Sequence, residues 1–289
     1  MVIDNGGLPP AGAAAGLTAA EDWRQLFAAF SHIVLVANSE AVDIRTIQPQ
    51  YPPTTLFVFF NRVFKVLDRP FERHAILISR GQPRGSNIVY RKEVREVVKF
   101  FPKEYFLGIM NIRLGVEEKL NPAADFEGAP TGHLDLLGFC SDFYSEGKTP
   151  TSGFAMALWL SEMRLPGTIV LAGFSARRSA KWRVVSVHDW SFEQTFLRLF
   201  ARLGKISIHG GVSENAYARL AKRFPEIPPA EIALAASEVL SERLGNTDAE
   251  VDKLISLTNV IRDFDNFLRR LKPKFLKRKP EQRQAEGNQ

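Results

Sequence analysis

The stretch that decides the fold is Pro150-Thr151-Ser152-Gly153, followed by an apolar helical segment over 154–163 and then Thr168-Ile-Val-Leu-Ala-Gly-Phe174. The small residues at its start are typical of a turn that opens a helix. The apolar run at its end is typical of a buried strand. A helix that leads directly into a buried strand indicates an α/β protein with a parallel sheet.

Other short apolar runs are predicted to be further strands of this sheet. They are Ile33-Val-Leu-Val36, Leu56-Phe-Val-Phe-Phe60, Ala75-Ile-Leu-Ile78, Arg183 to Val187 and Ile206-Ser-Ile208. The first three end in polar residues, as expected for parallel strands whose carboxyl ends carry a site. We therefore predict a Rossmann-like, mainly parallel sheet flanked by helices. Gly, Pro and Asp accumulate over 121–150, which predicts a long irregular connection of the kind that often forms a lid.

The predicted domain organisation has four parts. Residues 1–16 are rich in glycine, alanine and proline, which indicates a flexible leader. Residues 17–211 are predicted to form the α/β domain. Residues 212–271 are predicted to be an all-α extension, because their pattern changes to helical segments. The basic segment 272–289 is predicted to be a disordered tail.

The composition is that of an ordinary globular protein, with 45% hydrophobic and 24% charged residues among 289. The net charge of +6 is concentrated near the C-terminal end, so it does not predict nucleic-acid binding. A single cysteine, Cys140, excludes an intrachain disulfide and fits a reducing compartment. Because no secretory pattern or membrane-length apolar run is present, we expect a cytoplasmic protein. A peripheral position at the inner membrane face stays open as an alternative.

Two parts of the sequence carry chemistry suited to a phosphate-bearing ligand. The first N–H groups of the helix that begins at Thr151-Ser152-Gly153 lack partners within the helix and can bind an anion. His188, which lies five positions before Glu193, is the type of side chain best suited to accept a proton near neutral pH. The alternatives are a simple helix cap, a structural histidine and a first-turn carboxylate that complements the helix dipole.

Polar and basic residues at the predicted strand ends are further candidates. Asn38-Ser39 follows the first strand and Asn61 the second, and their side chains suit ribose, phosphate or a base edge. The alternative for each is a cap or turn residue. A basic cluster that could stabilise leaving-group charge, or be an ordinary solvated loop, comprises Arg177, Arg178 and Lys181.

Several enzyme classes are disfavoured because their motifs are absent. The sequence contains no G-x-S-x-G, P-loop, G-x-G-x-x-G or H-E-x-x-H pattern, which argues against hydrolase, NTPase, dehydrogenase and zinc-protease chemistry. The other histidines show no metal-ligand spacing with one another or with Cys140. We therefore predict no metal site and no cofactor.

The ordered set of short motifs resembles the sialyl motifs of sialyltransferase family 29. Val34-Leu-Val-Ala-Asn38-Ser39 and Phe59-Phe60-Asn61 are similar to the large motif. Thr151-Ser152-Gly153 and Leu171-Ala-Gly173-Phe174 are similar to the small motif, and His188-x4-Glu193 to the very small motif. The resemblance covers roughly residues 31–200 as short islands in order. It implies the sialyltransferase-type variant of the GT-A architecture.

The resemblance also implies a role for each matched residue. His188 would be the general base that deprotonates the acceptor hydroxyl, and Glu193 would support the catalytic site. No metal is implied, because protein groups neutralise the departing CMP in that family. The implied donor-binding residues are Asn38, Ser39, Asn61, Thr151, Ser152, Gly153 and Gly173.

The chain departs from the family pattern at specific places. Ala37 and Glu40 stand where the family has glycine, and Phe59 stands where it has arginine. The family's second histidine motif is missing before His188, and with one cysteine its disulfide cannot form. These differences suit a bacterial, cytosolic relative whose donor is CMP-Kdo or another CMP-activated ulosonic acid. The groups that could replace the missing histidine at the leaving group are Arg177, Arg178 and Lys181.

The expected function is transfer of a sialic or Kdo-type sugar from CMP to a glycan hydroxyl, with a lipid-linked glycan as one candidate acceptor. The tail at 272–289 is a candidate contact with an anionic membrane, and a heptad seam over 251–271 is a candidate homodimer contact. A solvated tail is the alternative. The alternative functions are a non-catalytic interaction protein with a degenerate nucleotide-binding core and a partner-recruiting helical C-terminus, or a phosphotransferase with His188 as nucleophile.

Overall fold

The centre of the protein is a seven-stranded sheet in the computed structural model, which describes residues 7–40, 42–81, 87–174, 187–211 and 216–242. The strands are β1 (His32–Val36), β2 (Thr55–Phe60), β3 (Ala75–Arg80), β4 (Phe106–Arg113), β5 (Thr131–Asp135), β6 (Thr168–Ala172) and β7 (Ser207–Ile208). Their order across the sheet is β5-β4-β3-β2-β1-β6-β7. Every neighbouring pair is parallel, which confirms the predicted Rossmann-like α/β fold.

The strand order creates a switch point at the centre of the sheet. From β1 the chain adds β2 to β5 on one side, and it then crosses back to place β6 on the other side of β1. After the carboxyl ends of β1 and β6, which are neighbours, the chain therefore runs to opposite sides of the sheet, toward β2 and β7 respectively. In open parallel sheets a crevice at this point is the usual ligand site.

Helices cover both faces of the sheet and explain why its strands are apolar on both sides. They are α1 (Ala20–Ala28), α2 (Ile44–Ile47), α3 (Val94–Val98), α4 (Ser152–Glu162) and α5 (Trp190–Arg202), with short 3-10 turns at Gln48–Gln50, Val63–Lys65 and Ala123–Phe126. In β1, Ile33 and Leu35 face the core shared with α1, α4 and α5. Val34 and Val36 face the core shared with α2 and α3. Continuous apolar runs are the expected pattern for strands buried on both faces.

The irregular connection predicted over 121–150 is wrong in one part, because it contains β5. Within β5 the only large apolar residue is Leu134, and the Gly132-His133 pair hides the alternating pattern of a strand. Pairing with β4 places Thr131 opposite Ile109 and thereby defines the strand. Tertiary pairing overrides weak local propensity here.

The prediction of a flexible leader is also wrong for the described part of it. Gly16 N donates to Thr131 O at 2.9 Å, and His133 N donates to Leu17 O at 2.7 Å. These bonds extend the ladder beyond β5, and Ala14 is fully buried beneath them. The segment is ordered because it covers the open edge of the sheet, where unpaired backbone groups would otherwise be exposed.

We expect Gly132→Ala to destabilise this edge. A Cβ at residue 132 would lie 2.4 Å from Ala14 O and 2.7 Å from the Trp23 ring. Overpacking of this kind costs about 1–3 kcal/mol in the free energy of unfolding, as measured by denaturant titration. Gly7→Ala is the control, since nothing lies within 4 Å of its Cβ position. Equal stability of the two variants would contradict the packing of the leader.

The chain divides into two compact units, Met1–Val212 and Ser213–Gln289. In the second unit the described helices are α6 (Ala216–Arg223) and a segment over 229–242. The predicted heptad helix, the tail and the predicted strand at 183–186 lie outside the described residues. None of the described helices combines the length and the apolar character needed to cross a membrane.

Candidate active site

The turn that leads into α4, residues 149–152, is held by three side chains, one at the end of β3 and two at the start of α5. We call this segment the entry turn. His188 Nδ1 donates to Thr149 O at 2.6 Å, and an Nη1 N–H of Arg80 donates to Pro150 O at 2.8 Å. Glu193 Oε1 accepts from the backbone N–H of Thr151 at 2.7 Å. Three consecutive residues are thus fixed at the carboxyl edge of the sheet, where α4 begins.

Glu193 is enclosed by hydrogen-bond donors and is 3% exposed. In addition to Thr151 N, the hydroxyl of Thr151 donates to Oε2 and that of Tyr144 donates to Oε1, each at 2.7 Å. Burial raises the pKa of the Glu193 carboxyl, while these hydrogen bonds act in the opposite direction. This carboxylate joins the first turn of α5 to the start of α4. Its position fits a supporting role and not contact with substrate.

The geometry corrects the expectation that Thr151 binds a donor molecule. Its N–H and hydroxyl hydrogen both bind Glu193, and its hydroxyl oxygen caps α4 by accepting from Phe154 N at 3.1 Å. The next N–H groups in the first turn belong to Ser152 and Gly153. Such groups have no intrahelical partner and point out of the helix N-terminus, where the dipole favours an anion.

Gly153 and Gly173 are required by close packing at the switch point. A Cβ on Gly153 would lie 2.5 Å from the Phe174 ring, so glycine lets α4 approach the connection after β6. Gly173 has a φ of +80°, and a Cβ there would lie 2.2 Å from Val42 Cγ2. The connections after β1 and β6 therefore meet at Gly173. The donor-binding role that the resemblance implies for both glycines stays a prediction.

Asn38 lies at the end of β1, beside the place where the connections after β1 and β6 meet at Gly173. Its Nδ2 donates to Phe60 O at 2.7 Å. Its Oδ1 is buried and has no hydrogen-bond partner among the described residues. Ser39, the next residue, turns the chain through a bond from its N–H to Ala37 O at 2.8 Å. An unpaired buried acceptor costs free energy unless a ligand or water satisfies it, so Asn38 is a candidate ligand contact.

Asn61 has the structural task that the sequence analysis left open as its alternative, that of a turn residue. Its φ of +46° places it in the left-handed region, which asparagine tolerates better than most residues. Its Oδ1 accepts from Arg80 N at 3.1 Å, which ties the end of β2 to the end of β3. This bond occupies its side-chain acceptor, so the geometry supports a turn residue and not a donor contact.

His188 is half-buried at the start of α5. Since Nδ1 donates to a carbonyl, the Nε2 atom of the neutral ring carries the lone pair. Burial lowers the pKa of the imidazole, the carbonyl of Thr149 opposes this shift, and the positive charge of Arg80 adds to it. A neutral ring with a fixed tautomer is the form needed to accept a proton.

Sequence reasoning missed Arg80 and Glu118, which form a buried ion pair beside the entry turn. Arg80 Nε donates to Glu118 Oε1 at 2.8 Å, and the two side chains are 4% and 6% exposed. Glu118 Oε2 accepts from Leu114 N at 2.9 Å. A signal was present, because an arginine follows the apolar run Ala75–Ile78 after a single serine, in a region where a charge is costly.

A cleft of about 370 Å³ opens between the connections after β1 and β2. It begins at Val42, which contacts Gly173, and its charged lining residues are Asp43, Arg45, Lys65 and Asp68.

Burial, followed by the charge of Arg62, lowers the pKa of Lys65, while Glu40 opposes this shift. The cleft provides polar, concave space next to the switch point, within the usual range of ligand-site volumes.

The structure brings together most of the sequence-predicted residues at one edge of the sheet. Arg177, Arg178 and Lys181 lie outside the described residues. Within the described ranges, no group of three acidic, histidine or cysteine side chains is placed to hold a metal ion. No protein-family model and no curated protein matches the chain. Function must therefore be argued from the site itself.

Proposed function

We propose that the protein is a glycosyltransferase that moves a sialic or Kdo-type ulosonic acid from its CMP-activated donor to a glycan hydroxyl. The observation that carries the proposal is the entry turn, which joins the His188 imidazole, the proposed proton acceptor, to the N-terminus of α4, the proposed anion site. His188 binds the carbonyl of Thr149, and the first-turn N–H groups of α4 begin three residues later at Ser152. Group transfer from a phosphate needs both functions at a fixed separation. The resemblance to the sialyl motifs adds the nature of the donor.

In the proposed reaction His188 Nε2 takes the proton from the acceptor hydroxyl as that oxygen bonds to the anomeric carbon. The bond from this carbon to the phosphate oxygen breaks, and CMP leaves with the bonding electron pair. The N–H groups of Ser152 and Gly153 stabilise the charge on the departing phosphate. The basic residues Arg177, Arg178 and Lys181 are proposed to add positive charge there.

The nucleoside part of the donor is assigned to the switch point. Asn38 Oδ1 would accept a hydrogen bond from the base or ribose, which satisfies its buried acceptor, and Ser39 and Gly173 line the same place. We propose that the enzyme acts in the cytoplasm, with a lipid-linked glycan as candidate acceptor. Membrane contact through 272–289 and pairing through 251–271 remain proposals on segments outside the described residues.

The first test is thermal stabilisation by CMP, with UMP, GDP and AMP as controls. Saturable binding stabilises the native state by about 2.7 kcal/mol at 100 times the dissociation constant. A shift with CMP alone supports the proposal and leads to transfer assays with CMP-Neu5Ac and CMP-Kdo. Absence of a shift with every nucleotide would instead favour the non-catalytic interaction protein.

Ser152→Pro tests the anion site directly. Residue 152 is the first of α4, where proline is tolerated because its missing N–H has no partner in the helix. The preceding Thr151 has φ −68° and ψ 152°, which a residue before proline readily adopts. We expect the loss of one charge-assisted bond to phosphate to weaken CMP binding by about 10–100-fold, or about 1.5–3 kcal/mol.

Ser152→Ala is the matched control, since it removes the hydroxyl and keeps the backbone N–H. Calorimetric titration with CMP and with cytidine compares the variants. Cytidine affinity should change little in either variant, because it lacks the phosphate. Equal CMP affinity of Ser152→Pro and the wild type would remove the start of α4 from the donor site.

A further inference from the structure

The buried Arg80–Glu118 pair lies at the centre of the contacts that shape the entry turn. Arg80 follows the apolar run of β3, and its backbone N–H is held by Asn61. Its guanidinium reaches the carbonyl of Pro150, next to the Thr149 carbonyl that His188 holds. Arg80 and His188 therefore bind adjacent peptide groups of the same turn from different elements.

We propose that Arg80 is the positioning residue of this site, with Glu118 as the counter-charge that holds its guanidinium in place. By fixing the Pro150 carbonyl, Arg80 sets the direction of the preceding Thr149 carbonyl, and this carbonyl orients the imidazole. The proposal rests on the proposed function only in taking His188 as the base. Arg80 is proposed to orient the imidazole of His188, and this role would hold for any reaction in which the imidazole takes part.

A buried ion pair is a costly way to fix a turn. Two charges must lose their hydration, and a well-packed apolar pair is often at least as stable. The arginine offers what an apolar side chain lacks, namely donors fixed in a planar fork. In this structure the donors of the guanidinium bind two different groups. Nε donates to Glu118, and Nη1 donates to the entry turn.

The charges around His188 oppose one another. Arg80 lowers the pKa of the imidazole and Glu118 raises it. The adjacent Asp189 is held by Ser145 and by the N–H of Phe192. Other titratable groups close to the entry turn are Tyr144, Lys148 and Glu193. Removing the charge of Arg80 or of Glu118 should consequently shift the His188 pKa in opposite directions, whether or not the pair also positions the turn.

The test measures the His188 pKa in the full-length protein by NMR of labelled histidine, with His188→Asn identifying its signal among the five histidines. In Arg80→Met the His188 pKa should rise, and in Glu118→Gln it should fall. Arg80→Lys keeps the charge but loses the fork. We therefore expect a weaker bond from His188 Nδ1 to Thr149 O, which lowers the His188 pKa because this carbonyl raises it. Transfer should fall by about 100-fold, the cost of a misplacement of about 1 Å.

Arg113→Met is the control. Arg113 ends the neighbouring strand β4 and pairs with Asp135 at 3.3 Å, so the variant should not move the His188 pKa. If Arg80→Met fails to fold, the falls of the pKa in Glu118→Gln and in Arg80→Lys still test the proposal. An unchanged His188 pKa in folded Arg80→Lys would overturn it, because the pair would then act through its charges alone. A lowered pKa in Arg80→Lys, in a protein that does not bind CMP, would retain the positioning role and reject the proposed function.

Discussion

His188→Asn should reduce transfer by about 10²–10⁴-fold, the usual contribution of a general base, while CMP binding stays close to wild type. Asparagine is the sharpest replacement because its Nδ2 can occupy the place of the imidazole Nδ1 and keep the bond to Thr149 O. The entry turn then remains in place, and only the proton acceptor at Nε2 is lost. Initial rates with a CMP-sugar donor and CMP titration of both proteins separate the two effects.

The pH dependence of the same reaction follows from the direction of the His188 pKa. Burial lowers this pKa below the ordinary value of a histidine, so the ring stays neutral at lower pH than an exposed histidine. The wild-type rate should be level near pH 7 and fall only as the pH drops through the lowered pKa. In His188→Asn this acid limb should be absent from the residual rate.

His74→Asn is the matched control for both measurements. His74 also has a pKa lowered by burial, but it precedes β3 and thus lies at the opposite edge of the sheet. Its replacement should leave the rate and the acid limb as in wild type. Wild-type turnover in His188→Asn would remove His188 as the base.

The fold class could be predicted from the sequence because most of its strands are short apolar runs buried on both faces, although β4 (Phe106–Arg113), which is also buried, was not among the predicted strands. Runs such as Leu56-Phe-Val-Phe-Phe60 leave no doubt about a central strand. The β5 side of the sheet was harder to predict. There, β5 and the leader stabilise each other through backbone hydrogen bonds made by Gly16 and His133. Local propensity does not contain that information.

Residues of the candidate site could be predicted from the sequence where a side chain suited to proton transfer or anion binding lies at a turn or at the start of a helix. His188 and Glu193 were found in this way, and both contact the entry turn. Arg80 and Glu118 lie 38 positions apart in the sequence, and only the fold brings them together. Tyr144 was missed for the same reason, because its partner Glu193 is 49 positions away.

Glu193→Ala should cause the largest loss of stability among single replacements at the site. The variant leaves the N–H and hydroxyl of Thr151 and the hydroxyl of Tyr144 without their acceptor in a buried place. Each unsatisfied polar group costs about 1–3 kcal/mol, and water entering the new space offsets part of the sum. We expect a loss of about 3–5 kcal/mol in the free energy of unfolding, measured by denaturant titration.

Glu193→Gln separates hydrogen bonding from charge. Glutamine can keep its oxygen on Thr151 N and Tyr144 while its amide donates to the Thr151 hydroxyl oxygen, so the loss should be only about 1 kcal/mol. Glu162→Ala, at the exposed end of α4, is the control for removing a helical glutamate. If Glu193→Ala were as stable as Glu162→Ala, the carboxylate would not join α5 to α4. A dominant role for charge would instead make Glu193→Gln as unstable as Glu193→Ala, because both variants remove the same negative charge.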